Sequence, residues 1–164
     1  MEISKTGDPA TSFTVTPLWV YCHLDQIQKV DSPMQLLKIN KKPETDLQGH
    51  IPGAVAINWD RELSQTSETH HIKKERFEEI MSSCGVTEDT TIILYGDENN
   101  WYAYHAFWVC WYFGHEKLYL MSGGRSQWKR EGFEFTTEVP SVTETTYAAK
   151  YGDEKLDCGI IETT

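Results

Sequence analysis

Short apolar runs alternate with amphipathic segments along most of the chain. The run "TTIILYG", which ends at Gly96, is apolar and rich in β-branched residues without alternation, as is typical of a central parallel strand covered on both faces. In "KKERFEEIMSSCG", Phe77, Ile80, Met81 and Cys84 recur at helical spacing, so this segment is predicted to be a helix with one apolar and one charged face. A helix pattern followed directly by a strand pattern predicts that helices and strands alternate along the chain.

The remaining segments extend this alternation. Thr16 and Pro17 have the residue types of an N-cap and a first helical position, and they predict a short helix at "PLWVYCHL". Further strands are predicted at "SFTVT", "MQLLKI", "AVAIN" and "KLYLM", and further helices at "WYAYHAFWVCWYF" and "RSQWKREG". Strands separated by helical segments of this length favour βαβ crossovers, and the predicted class is α/β.

One helix has an unusual composition. Of the 20 aromatic residues in the chain, eight lie between Trp101 and Phe113, and His105 is the polar break in that segment. If Trp101, Tyr104, Trp108 and Trp111 form one stripe, a second stripe packs on the sheet and the first is left for another domain or subunit. The alternative is a helix covered entirely by loops of its own domain.

Composition and charge narrow the function classes. A chain of 164 residues with 39% hydrophobic content is the size of one domain, and its formal charge of −10 disfavours binding to nucleic acid or to an anionic membrane. The first residues lack the pattern of a signal peptide, and there is no apolar run long enough to span a bilayer, so we expect a cytoplasmic protein. The cysteines form no CxxC pair and His70-His71 is an isolated pair, so no metal site and no cofactor is expected.

The composition changes toward the end of the chain. From Thr136 onward the sequence is rich in Thr, Glu and small residues and has no sustained period. We therefore divide the chain into an extension at 1–14, a domain at 15–140 and a linker-like tail at 141–164, which could lead to a missing second domain.

Three blocks of sequence resemble one known family. "GHIPGAVAINWD", "YGDENNWYAYHAFWVCWYFGH" and "SGGRSQWKREG", in this order, resemble the amino-terminal domain of a tandem-rhodanese thiosulfate sulfurtransferase. The resemblance implies a rhodanese-like fold, which is a central parallel five-stranded sheet with helices on both faces. It also implies a protein of two such domains, in which the carboxyl-terminal one is catalytic.

The active domain of that family needs a cysteine at the end of the central strand. A loop of inward-pointing N–H groups there stabilises the thiolate, binds the anionic sulfur donor and supports a cysteine persulfide. In this chain the position falls on Gly96, with Asp97 directly after it, so the resemblance implies that the domain alone is inactive. A carboxylate in the loop could instead accept hydrogen bonds from the unpaired N–H groups at the N-terminus of the following helix. The degenerate loop comprises Gly96, Asp97, Glu98, Asn99, Asn100 and Trp101.

The four cysteines lie elsewhere. Cys84 and Cys110 fall in predicted helices and are expected in the core, Cys22 lies in the first helix, and Cys158 in the tail is the thiol expected to be exposed.

Other residues of the blocks have structural or binding interpretations. His50, Pro52 and Gly53 form the family's motif turn, in which His50 is expected to fix the turn by hydrogen bonds. Asp60 and Arg61 follow a strand, where open α/β sheets place ligands, and with Arg125 they could line a cleft, although their pattern favours a solvated loop.

Two functions from different classes remain open. The chain is either the amino-terminal domain of a thiosulfate sulfurtransferase, partnered by a catalytic rhodanese domain of the same or a separate chain, or a freestanding non-catalytic rhodanese module that binds or regulates a partner. In both, the partner or a second copy would cover the Trp101–Phe113 helix.

Overall fold

The fold is taken from a computed structural model that describes residues 13–29, 32–40, 48–58, 72–97 and 100–150. Several residues singled out in the sequence lie outside these ranges: Glu98, Asn99, Asp60, Arg61, His70, His71 and Cys158. Within the described ranges, no helix is both long enough and apolar enough to cross a bilayer.

Five parallel strands form one sheet at the centre of the domain. They are β1 (Thr14–Val15), β2 (Met34–Asn40), β3 (Val55–Asn58), β4 (Thr91–Gly96) and β5 (Leu118–Met121). Their order in the sheet is β1-β5-β4-β2-β3, so β4 has a neighbour on each side. All neighbouring strands run parallel. The predicted class, an α/β fold with a central five-stranded parallel sheet, is confirmed.

Within the ranges that the structure describes, five helices cover the two faces of the sheet. They are α1 (Pro17–Cys22), α2 (Leu24–Ile27), α3 (Lys74–Ser83), α4 (Trp101–Tyr112) and α5 (Gly124–Arg130). The predicted N-cap at α1 forms, because the Thr16 side chain accepts a hydrogen bond of 3.0 Å from the Trp19 N–H and Pro17 occupies the first turn.

The helices divide the core into two clusters. Alternate residues of a strand point to opposite faces, so Leu37 and Leu94 pack with α3 and α4, whereas Leu36 and Ile93 pack with α1, α2 and α5. The strands therefore bury both faces, which explains their continuous apolar runs.

The packed structure continues past residue 140, where the sequence predicted the start of a linker-like tail. Residues 141–150, which we call the C-terminal strap, have no helix or strand, yet they are hydrogen-bonded to the domain. Thr145 donates to the Val86 carbonyl, and the Tyr147 N–H donates to Ser82 Oγ at 3.0 Å. Glu78 accepts from the Ala149 N–H at 2.7 Å. The polar composition of the strap is thus explained by hydrogen bonding to the domain.

A buried histidine anchors the strap. His115 Nε2 donates to the Thr90 carbonyl at 2.8 Å, which leaves Nδ1 to accept from the Tyr147 hydroxyl at 2.9 Å. Both residues are at most 4% exposed. Burial lowers the pKa of His115, and it outweighs the nearby carboxylates of Glu88 and Glu116, which favour the charged ring.

We expect this histidine to make folding pH-dependent. Because the pKa of His115 is lower in the folded chain than in the unfolded one, the unfolded state binds the extra proton first as pH falls below about 6.5. The free energy of unfolding should therefore decrease from pH 7.5 to 5.5. Urea titrations at both pH values should show a smaller decrease for His115→Gln, and an equal decrease would contradict the assignment.

Candidate functional site

The candidate site lies at the carboxyl end of β4, the strand with a neighbour on each side. Gly96 ends this strand and is buried, Asp97 follows it, and Asn100 and Trp101 begin α4. Open α/β sheets bind ligands outside the carboxyl ends of their strands, so the degenerate loop occupies the place where a ligand would be expected.

Asn100 holds the two ends of the loop together. Its side-chain oxygen accepts from the Gly96 N–H at 2.9 Å, and its amide nitrogen donates to the Met121 carbonyl at 2.6 Å. The residue is 5% exposed, and these bonds join the end of β4 to the end of β5. An asparagine suits the position because one amide both accepts and donates.

A buried ion pair neutralises the carboxylate of Asp97. Lys38 on β2 is fully buried, and its Nζ lies 2.9 Å from Oδ1 of Asp97, whose side chain is 15% exposed. The sequence predicted that a loop carboxylate would serve the helix N-terminus, and that role stays a prediction. The described partner of Asp97 is a lysine of the neighbouring strand.

Two asparagines continue this polar network. Lys38 Nζ donates to Oδ1 of Asn40, and the Asn40 amide donates to Oδ1 of Asn58 on β3 at 3.1 Å. Sequence analysis missed all three residues. The available signal was a lysine within "MQLLKI", since a strand that is covered on both faces has no solvent side for a charge.

The described cysteines lack the properties of a sulfur-transfer nucleophile. Cys84 and Cys110 are buried, as predicted, and burial together with the nearby Cys84 raises the pKa of Cys110 to about 12. Cys22 is exposed, which corrects the expectation that only Cys158 would be: it lies on the outer face of α1. Neither Gly96 nor Asp97 supplies a thiol to the loop.

The predicted motif turn packs against the same strand. The His50 ring donates to the Ile51 carbonyl at 3.0 Å, and its backbone pairs with Thr136. The Ile51 N–H donates to the Tyr95 hydroxyl of β4 at 3.0 Å.

The turn needs its glycine. Gly53, which follows Pro52, has a φ of 88°, and a Cβ there would lie 2.9 Å from Cγ of Gln28. A side chain at this position would be strained in φ and crowded against α2.

Arg125, predicted as a possible cleft residue, lies beside this turn. Its guanidinium donates to the carbonyls of Gln48 and Gly49 at 3.0 and 3.3 Å and lies 4.1 Å from the centre of the Phe135 ring. The other two predicted cleft residues, Asp60 and Arg61, lie outside the described ranges. In the part of the chain that the structure describes, no three His, Cys, Asp or Glu side chains are grouped to hold a metal ion.

One stripe of α4 faces solvent. Trp101, Tyr104, Trp108 and Trp111 are 73%, 61%, 42% and 54% exposed, and we call them the α4 aromatic surface. The opposite stripe, with Cys110, packs in the core against the sheet. These exposures confirm that the helix has two unlike stripes and argue against the alternative of complete burial by its own domain.

Comparison with known proteins assigns the fold and family. The family model for the rhodanese-like domain matches residues 17–131. A candidate thiosulfate sulfurtransferase of Haloferax volcanii is 38% identical over 146 residues, which cover 89% of this chain and 51% of the relative. The sulfur carrier protein TtuD of Thermus thermophilus is 40% identical over 138 residues, covering 84% of this chain and 47% of the relative.

A solved structure supports the same fold assignment. SseA from Escherichia coli, described as a 3-mercaptopyruvate sulfotransferase with a rhodanese fold, superposes with a TM-score of 0.74 at 26% identity and covers 88% of this chain and 59% of its own. The chain thus spans about half the length of the curated relatives it matches.

Proposed function

The chain belongs to the rhodanese-like domain family, and from that premise we propose that it is a non-catalytic domain, equivalent to the amino-terminal one of a tandem thiosulfate sulfurtransferase. Its partner would be a catalytic rhodanese domain that takes the sulfane sulfur of thiosulfate onto a cysteine as a persulfide. The names of the relatives support sulfur transfer as the reaction in which this domain and its partner take part.

The observation behind this proposal is the content of the loop after β4. Sulfur transfer through a persulfide needs a thiolate that attacks the sulfane sulfur and releases sulfite. Here a glycine ends the strand, and the next side chain is a carboxylate paired with Lys38. This carboxylate is already held in an ion pair and can only accept hydrogen bonds, so the loop is suited to holding its own structure and not to binding thiosulfate.

The α4 aromatic surface supports the partner part of the proposal. Four large aromatic side chains on one helix stripe form a kind of surface that is enriched at protein interfaces. The curated relatives are about twice as long as the matched region, so each has room for a second domain of similar size. We propose that such a domain, in the same or a separate chain, covers this surface, and that a second copy takes its place when the domain is alone.

We propose that the protein is located in the cytoplasm. Among the described residues, Cys22, Cys84 and Cys110 form no disulfide, which fits a reducing compartment.

The isolated chain should show no thiosulfate:cyanide sulfurtransferase turnover above the rate without protein. The physical reason is that the thiols of Cys84 and Cys110 are buried and the loop has none. Steady-state thiocyanate formation is the measurement, with a full-length thiosulfate sulfurtransferase as positive control. Single changes Cys22→Ser, Cys84→Ser, Cys110→Ser and Cys158→Ser complete the set. Turnover that survives three of them and disappears with the fourth would locate a nucleophile and refute the proposal.

A freestanding regulatory module remains the second candidate. It shares the inactive loop and the aromatic surface, and it differs in the partner. Co-purification of the chain with a cysteine-bearing rhodanese domain would favour the first proposal over this one.

A further inference from the structure

We propose that the domain contains a groove that binds an extended peptide, and that the C-terminal strap occupies this groove as an exchangeable ligand. The ligand class is an extended segment with a tyrosine anchor and a small residue two positions after it, as in Tyr147 and Ala149. The inference goes beyond the proposed function and does not depend on it. We call the groove the strap seat, and its residues are Glu78, Ser82, Val86, Glu88, Phe113 and His115.

The strap seat holds the backbone of the strap. Five of the six N–H groups from Thr145 to Lys150 donate to it. The acceptors are the carbonyls of Ser82 and Phe113, both at 3.1 Å, the hydroxyl of Ser82 at 3.0 Å, and the carboxylates of Glu88 at 3.1 Å and Glu78 at 2.7 Å. Main-chain hydrogen bonds of this kind provide affinity when a domain binds an extended peptide.

Tyr147 is the side-chain anchor of the strap. Its ring is 4% exposed and lies between the rings of Phe77 and His115 at centre distances of 5.6 and 5.8 Å. Its hydroxyl donates to Nδ1 of His115 at 2.9 Å. A tyrosine suits such a pocket because it buries a large apolar ring and keeps a polar tip for one hydrogen bond.

Exposure alternates along the strap, although its residue types do not. The side chains that face the seat are the buried Tyr147 and the half-buried Thr145 and Ala149. The residues between and before them are exposed, namely Glu144, Thr146 and Ala148. Pockets for alternate side chains give specificity in the recognition of extended peptides, so the seat has this second property as well.

The strap is joined to the domain by a loosely packed connection. Val139 is 81% exposed, and among the described hydrogen bonds none joins residues 137–144 to a helix or strand. A cavity of about 400 Å³ lies between residues 138–142 and the side of the domain formed by α2 and the motif turn. The family model ends at residue 131, so every residue of the seat lies inside the matched domain and the strap lies outside it.

This connection would hide the binding activity in the intact chain. A short link keeps the strap at a high effective concentration beside the seat, so a peptide added in solution cannot compete with it. Cutting the connection removes this advantage and leaves all contacts of the seat in place.

The test cuts the connection in the folded chain. A recognition site for a sequence-specific protease is inserted between Val139 and Pro140, in an exposed loop of the kind that tolerates insertions. After cleavage, a fluorescently labelled peptide of residues 141–150 is added in excess overnight. We expect the label to co-elute with the nicked chain in gel filtration and to saturate at a single site. The uncut chain should retain no label.

Unlabelled competitor peptides measure which side chains the seat recognises. The peptide with Tyr147→Ala should need about 30-fold or more of the unmodified concentration to displace half of the label, because it lacks the buried anchor. The peptide with Tyr147→Phe keeps the ring and loses the hydrogen bond to His115, so about fivefold or more is expected. Thr146→Ala is the matched control, since Thr146 is exposed, and it should compete within about twofold of the unmodified peptide.

Three results would overturn the proposal. They are a folded nicked chain that takes up no label, an uncut chain that binds as much label as the nicked one, and equal competition by the Tyr147→Ala and unmodified peptides. Circular dichroism decides the case in which cleavage unfolds the chain. Refolding on addition of the peptide supports the seat, and a chain that stays unfolded at the highest peptide concentration refutes it.

Discussion

Replacing Tyr147 by Ala should lower the free energy of unfolding by about 3–5 kcal/mol, the range observed when a buried aromatic side chain is truncated in a core. Tyr147 is 4% exposed and belongs to the cluster between the sheet and helices α3 and α4. Its ring lies 5.6 Å from that of Phe77 and 5.8 Å from that of His115, measured between ring centres. The change would remove this packing and leave Nδ1 of His115 without its described donor.

The comparison with Tyr147→Phe separates packing from hydrogen bonding. Phe keeps the ring and loses the hydroxyl, so about 1–3 kcal/mol is expected for the unsatisfied ring nitrogen. Urea unfolding of the three chains at pH 7.5 gives both differences. If Tyr147→Ala costs less than 1 kcal/mol, the C-terminal strap is not part of the folded domain in solution.

Replacing Tyr104 by Glu should weaken self-association of the isolated domain by about 30-fold or more, the effect of losing an interface hot spot of about 2 kcal/mol. Tyr104 is 61% exposed on the α4 aromatic surface, so the change should cost the monomer little stability. In an interface, by contrast, the new carboxylate would be desolvated among aromatic rings. Sedimentation equilibrium of both chains measures the dissociation constants.

Leu18→Glu is the matched control for this experiment. Leu18 is 56% exposed on α1, and that helix packs on the opposite face of the sheet. The control should associate like the unmodified chain. A strictly monomeric unmodified chain at high concentration would remove the basis for a second copy at this surface, and equal weakening by both changes would point to a general charge effect.

The strands and helices were predictable because their signals are local. Phe77, Ile80 and Met81 recur at helical spacing and are buried in α3, and the uninterrupted run before Gly96 forms the central strand β4. The stripe of Trp108 and Trp111 on α4 followed from spacing alone. The missing thiol was also visible, because the motif that resembles the rhodanese family fixes the position where a cysteine would stand.

Pairings between distant segments were not predictable. In sequence, β3 and α3 lie between Lys38 and Asp97, and only the parallel register of β2 and β4 brings them to 2.9 Å. The C-terminal strap has no period because its backbone N–H groups donate to residues of more than one element, such as Ser82 of α3 and Phe113 at the end of α4. A sequence with such contacts is indistinguishable by pattern from a linker.

The sequence by itself therefore determined the class of fold and the aromatic stripe of α4, since these depend on residue type and short-range spacing, and its resemblance to the rhodanese family located the loop that has no cysteine. Only the tertiary structure decided that Lys38 neutralises Asp97, that Asn100 joins the ends of β4 and β5, and that residues up to Lys150 pack on the domain. The physical reason is that a hydrogen bond or ion pair forms only when two atoms lie within about 3 Å of each other. Strand order decides which distant residues come that close, and no local pattern in the sequence encodes strand order.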